Sequence, residues 1–209
     1  MENKKNLIKA INLAIISLIL LVSSIRLLSV KSNATDDYRG YAIYRNGVAF
    51  GLNDHAAIMY RSDNSQPDSV VHAGGYIDNV AFADWDTFID GNSFITACIP
   101  NNCSIGGYRQ LFASKARELV DISYTVFNQI DYSAGNQMWV LPENITDLRC
   151  DGVVEYIFEF YGFRVGGPNN KWDITRNLPE YLEPHKGFSI TPRKQHTNLL
   201  TRITTTLGN

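Results

Sequence analysis

The sequence predicts an α+β domain in which an antiparallel sheet packs against a helix carrying a cysteine at its N-terminus. Three observations carry this reading. In ITDLRCDGVVEYIFEFYGF, from Ile145, the residues Cys150, Val153, Val154, Ile157, Phe158 and Tyr161 recur at the spacing of a buried helical stripe. Short apolar runs, Tyr38–Tyr44, Asp54–Tyr60, Ser69–Gly75 and Phe94–Ile99, read as strands. The loop Arg61–Asp68 between two of them is rich in Ser, Asp, Asn and Pro, which favours an antiparallel pair.

Length and composition bound the answer. A chain of 209 residues with 44% hydrophobic and 19% charged content buries one sizeable core, so one domain is expected. A formal net charge of −2 gives no electrostatic argument for a nucleic-acid partner. Lys4, Lys5 and Lys9 precede the apolar run Ile11–Val22, and Ser32-Asn33-Ala34 offers small residues for cleavage before Thr35. That is the order of a secretory signal. The second apolar patch, Ile25–Val30, also allows an uncleaved anchor with the domain outside. Residues 1–34 are therefore read as signal peptide or N-terminal membrane anchor and 35–209 as the domain, secreted or held at the outer side of a membrane.

Taking the domain in order, Tyr38–Tyr44 is a strand and Asn46-Gly47 a turn. His55 opens the next strand, and His72 lies in the one after it. On neighbouring strands their rings share a face only in the right register, which the loop leaves open. Phe82–Phe88 reads as loop or short helix. Leu111, Phe112, Ala116, Leu119, Val120 and Ser123 make the stripe of a second helix over about Tyr108–Gln129. The cysteine helix spans Thr146–Phe163, with Thr146 or Asp147 as start signal and Gly162 as stop. Gly187–Pro192 reads as a last strand, followed by a Thr-rich end.

Export makes the three cysteines informative. Cys98 and Cys103 bracket a turn-like insert and are placed to pair in an oxidising compartment, which leaves Cys150 as the odd thiol. At a helix N-terminus, exposed N–H dipoles favour its ionisation. No pair of Cys or His residues has zinc-like spacing, so neither a metal nor a cofactor is expected. His185 and His196 lie near Pro184 and Pro192 and read as surface residues, and Asp54 as a loop-end cap. A histidine on one strand, a polar residue on the next and a downstream cysteine opening a helix are the parts of a thiol hydrolase. The thiolate attacks an acyl carbon, an imidazole moves the proton, and a third side chain holds that ring.

Here the chain resembles the circularly permuted branch of the NlpC/P60 papain-like superfamily, especially the YiiX/YebB-like exported hydrolases, and more distantly lecithin:retinol acyltransferase-like proteins. The resemblance rests on GYAIYRNG…DHAAIMY, SVVHAGGYIDNVAFADWDTF and LRCDGVVEYIFEFYG, covering most of Gly40–Gly162 with His before Cys. It implies a permuted papain-like (NlpC/P60-type) fold. It also implies Cys150 as nucleophile, His55 as base, His72 as the third polar residue, and Tyr124 or Tyr132 as an aromatic lining the cleft. The expected substrate is a peptide, cell-wall peptide or other amide. A non-catalytic binding module on the same scaffold and a lipid-directed thiol acyltransferase or lipase are the alternatives. Where relatives often carry Ser or Glu near the nucleophile, this chain has Arg149-Cys150-Asp151-Gly152. Asp151 opposes ionisation of the thiol and Arg149 offsets it.

Overall fold

In the computed structural model the chain divides into two units, Met1–Ala34 and Thr35–Asn209. The structure describes residues 37–48, 53–74, 78–166, 173–178, 185 and 187–207. The targeting or anchor segment expected at 1–34 lies outside them. No helix among the described residues is long and apolar enough to cross a membrane.

The second unit is α+β. Its main sheet contains β1 (Ala42–Val48), β2 (Asn53–Met59), β3 (Val70–Ala73), β4 (Val80–Ala83), β5 (Phe94–Ile99) and β9 (Thr201–Thr204). These are ordered β4-β3-β2-β1-β5-β9, with each neighbouring pair antiparallel. A small second sheet has the order β6-β8-β7, from Ser123–Tyr124, Ile145–Leu148 and Ile130–Tyr132 respectively. The helices are α1 (Trp85–Ile89), α2 (Arg109–Glu118), α3 (Cys150–Phe160) and the turn α4 (Pro192–Lys194), which runs on into a π-helical turn, Gln195–Leu199.

Strand alternation divides the core in two. On one face Ala42, Tyr44, Ala56, Ile58, Val71 and Ala73 pack with Phe112 of α2 and with Cys150, Val153 and Ile157 of α3. On the other, Ile43, Ala57, Met59 and Val70 pack with Phe88 of α1 and with Ala97. Burial on both faces explains why these strands read as continuous apolar runs rather than as alternating ones.

Several elements differ from the sequence reading. Asn46-Gly47 does not end the first strand. The register shifts between Asn46 and Val48, and Gly47 at φ +89° carries the bulge within β1. The second helix stops at Glu118, because Asp121 enters the left-handed region at φ +75° and Ser123–Tyr124 joins the small sheet. The cysteine helix begins at Cys150, since Ile145–Leu148 is held as a strand between β6 and β7. Its end is as expected: Gly162 takes φ +85°, and the Gly162 and Phe163 amides return to the carbonyls of Glu159 and Phe158.

Gly187–Pro192 is no strand. Thr191 accepts a hydrogen bond from the Lys194 amide and starts α4 with Pro192 in its first turn. The last strand is instead Thr201–Thr204, at the sheet edge beside β5. Cys98 and Cys103 are separate free thiols rather than a disulfide.

Candidate active site

Strand register places the two histidines. Ala57 pairs with His72 across β2 and β3, and His55 lies two residues before Ala57 on the same face. The rings therefore meet on a diagonal, with His55 Nε2 2.9 Å from His72 Nδ1. Phe88 lies beside both, its ring centroid 5.7 Å from that of His55 and 5.9 Å from that of His72. Arg45, opposite His55 on β1, holds its guanidinium 5.8 Å from the same phenyl centroid. Burial, then His72 and Arg45, pushes the His55 pKa well below the ordinary imidazole range. Burial, then Arg45, lowers that of His72 to about 4. Both rings are neutral at neutral pH, and His72 Nε2 is the ring nitrogen of the pair left without a hydrogen-bond partner.

Cys150 reaches the same part of the sheet from the other side. Pairing of β2 with β3 runs from Met59↔Val70 only to Ala57↔His72, and beyond it Gly74 turns the chain away at φ +103°. The Met59 amide donates to Tyr41 beside β1, so alternation points the Ala56 amide toward the gap that β3 leaves. From there the Ala56 amide acts on the Cys150 thiol and favours its ionised form. The structure thus brings His55 and His72 together and seats the thiol on the residue that follows His55. The thiol packs with the face opposite the two rings, and no hydrogen bond joins it to either imidazole.

The thiol is not the easily ionised group expected of a helix N-terminus. Cys150 is fully buried, and burial first, then the Asp151 carboxylate, pushes its pKa up to about 12. Arg149 and the amides of Ala56 and Asp151 act the other way but do not win.

Arg149 is the organising residue that sequence reasoning underrated. It is wholly buried before α3 and grips Asp151 through Nε to Oδ1 at 2.6 Å and Nη2 to Oδ2 at 2.9 Å. Its remaining N–H groups donate to the carbonyls of Phe127, Gly187 and Ile190, which ties two loops to the start of the helix. Gln129 donates from Nε2 to Asp151 and to Glu155, and Gln195 from Nε2 to the Asp151 carbonyl. Gly152 is required there, because a Cβ on it would lie 2.0 Å from the Gln129 carbonyl oxygen. The spacing Arg-Cys-Asp-Gly was visible in the sequence, but its partners on distant loops were not.

Of the two candidate tyrosines, Tyr124 is the one whose phenol feels Cys150, Asp151 and Arg149, and its ring closes against Gly74. Nothing places Tyr132 there, since burial alone raises its pKa. Asp54 is not a loop cap. It lies in β2, accepting from His196 Nε2 at 2.8 Å and from Arg193. His196 and His185 are buried rather than on the surface, His185 with its Nε2 3.2 Å from Glu155 Oε1. Glu155, Glu159 and His185 form the one group among the described residues with metal-ligand donors gathered together. Comparison with family models, with curated proteins and with solved structures gave no match.

Proposed function

We propose that the chain is an exported thiol hydrolase of circularly permuted papain-like (NlpC/P60-type) fold, acting on an amide such as a peptide or cell-wall peptide. The observation that supports this reading best is the 2.9 Å bond between His55 Nε2 and His72 Nδ1, formed where β3 leaves β2 and the next amide faces Cys150. In this reading Cys150 is the nucleophile, His55 the base that takes its proton and His72 the residue that orients the ring. Because the thiol packs on the face opposite the rings, the transfer requires the thiol and His55 to move together. His72 holds the tautomer and accepts from the imidazolium that forms.

The electrostatics define the order of events. The thiol is protonated and the imidazole neutral at rest, so proton transfer accompanies attack instead of preceding it. Cys150 Sγ bonds to the acyl carbon, and the thiol proton passes to His55. The tetrahedral oxyanion takes hydrogen bonds from first-turn amides of α3, then collapses as the amine leaves with the proton from His55. Water repeats the sequence on the thioester and releases the acid.

Full burial of Cys150 favours a second reading, a binding module whose cysteine is a small core residue. One comparison separates them: hydrolysis of a peptidoglycan fragment by the wild type against Cys150→Ser and His55→Ala. Turnover abolished in both variants, with fragment binding retained, supports the hydrolase. Binding with no turnover in the wild type leaves the binding module, and turnover that survives Cys150→Ser overturns the thiol mechanism.

A further inference from the structure

Two buried arginines near the candidate site are bonded very differently. Arg149 donates to Asp151 and to three carbonyls. Arg45, buried on β1, makes a single hydrogen bond among the described residues, from Nη1 to the carbonyl of its neighbour Asn46. Its Nε is buried with no hydrogen-bond partner, and no carboxylate among the described residues forms an ion pair with it. Asp90, exposed just after α1, acts on the guanidinium electrostatically but without a hydrogen bond. Register turns this group toward the histidines. Arg45 lies opposite His55, so the two side chains share a face of the sheet. Its Cζ and both imidazoles surround the Phe88 ring at 5.7 to 5.9 Å. Both imidazoles feel its charge, and it feels Cys150. In the same cluster His72 Nε2 is buried and also has no partner. A guanidinium taken out of water without a counter-charge works against the fold, which calls for a reason to keep it.

We propose that Arg45 anchors a carboxylate of the substrate beside the histidine pair. An ionised carboxylate supplies the missing counter-charge, and a flat guanidinium with unused N–H groups matches its two oxygens. The proposal rests on the reading of this region as the substrate site. It narrows the substrate to a peptide or other amide that carries an ionised carboxylate near the bond that is cut. The same contact prepares the base. Burial and Arg45 hold both imidazoles neutral, while Asp90 and Cys150 act on Arg45 in the opposite sense. A carboxylate on Arg45 cancels the cation, so the pair takes a proton more readily when substrate is bound.

The test measures binding by calorimetry to the full chain carrying Cys150→Ser, which separates recognition from turnover. The probes are acetyl-dialanine with a free C-terminal carboxylate and the same peptide as its C-terminal amide. The carboxylate form should bind saturably and the amide at least about 10-fold more weakly, the worth of a charge-assisted hydrogen bond. Arg45→Met should lose that preference, and Arg45→Lys should keep part of it. Arg45→Met should also leave the urea midpoint unchanged or raised, because it removes a buried charge that has no partner. No saturable binding of the carboxylate form, equal affinity for the amide, a preference that survives in Arg45→Met, or a lowered midpoint in that variant overturns the anchor. A wild type that prefers the carboxylate through Arg45 yet hydrolyses neither probe nor a peptidoglycan fragment keeps the anchor and overturns the hydrolase reading instead.

Discussion

Two buried polar clusters lie close together in this molecule, and they are stabilised in opposite ways. The His55–His72 pair has one hydrogen bond between its rings, an aromatic neighbour in Phe88 and a nearby positive charge on Arg45. Burial there acts against charge, so both rings stay neutral, and His72 Nε2 has no hydrogen-bond partner. The cluster at the start of α3 is the reverse. Arg149, Asp151, Gln129, Glu155 and Gln195 bind one another and the surrounding carbonyls, so that the Arg149–Asp151 ion pair sits fully desolvated yet bonded on both sides. Sparse partners leave a neutral pair that resists protonation, and dense partners make a rigid frame. A reactive site needs both, the first for chemistry and the second for position.

The largest effect should come from breaking the frame. Arg149→Ala leaves Asp151 buried without its cation and three carbonyls without donors. It should lower unfolding stability by about 3–5 kcal/mol, read from urea denaturation. A loss under about 1 kcal/mol would mean that the cluster is not the frame. His55→Ala attacks the other side of the comparison and should leave the fold standing. In the proposed hydrolase it should reduce turnover by about 10²–10⁴-fold, the usual worth of a general base. Cys150 should also resist iodoacetamide at neutral pH in the wild type, since its proton is held up to about pH 12.

The histidine pair also predicts how stability follows pH. In the unfolded chain His72 takes a proton near its ordinary pKa of 6.5, whereas in the fold it does so only near about 4. The unfolded state therefore binds the proton first as pH falls. Stability should be fully present above about pH 6.5 and decline toward about pH 4, by on the order of 3 kcal/mol from His72. Denaturation curves across that window should flatten in His72→Asn, and an unchanged slope would separate the pair from the acid response. The smallest change is expected for Asp54→Asn. It weakens the links to His196 and the half-exposed Arg193 while leaving both main clusters intact. Its denaturation midpoint should shift less than that of any variant above.

Local sequence by itself determined the α+β class, the strands around His55, His72 and Phe94–Ile99, and the Gly162 stop of the cysteine helix. These follow from periodicity and backbone preference, which act over a few residues. Residue order also put the two histidines on neighbouring strands. Only the tertiary structure decided their register, the bond between them and the gap that exposes the Ala56 amide to Cys150, because a one-residue slip turns every side chain to the other face. It decided the thiol's ionisation as well. The helix end favours charge, but full burial and Asp151 outweigh it, and burial depends on what the distant loops at Phe127 and Gly187–Ile190 bring to Arg149. The same holds for His185 and His196. Nearby prolines suggest a surface tail, yet long-range contacts with Glu155 and Asp54 draw both rings into the interior.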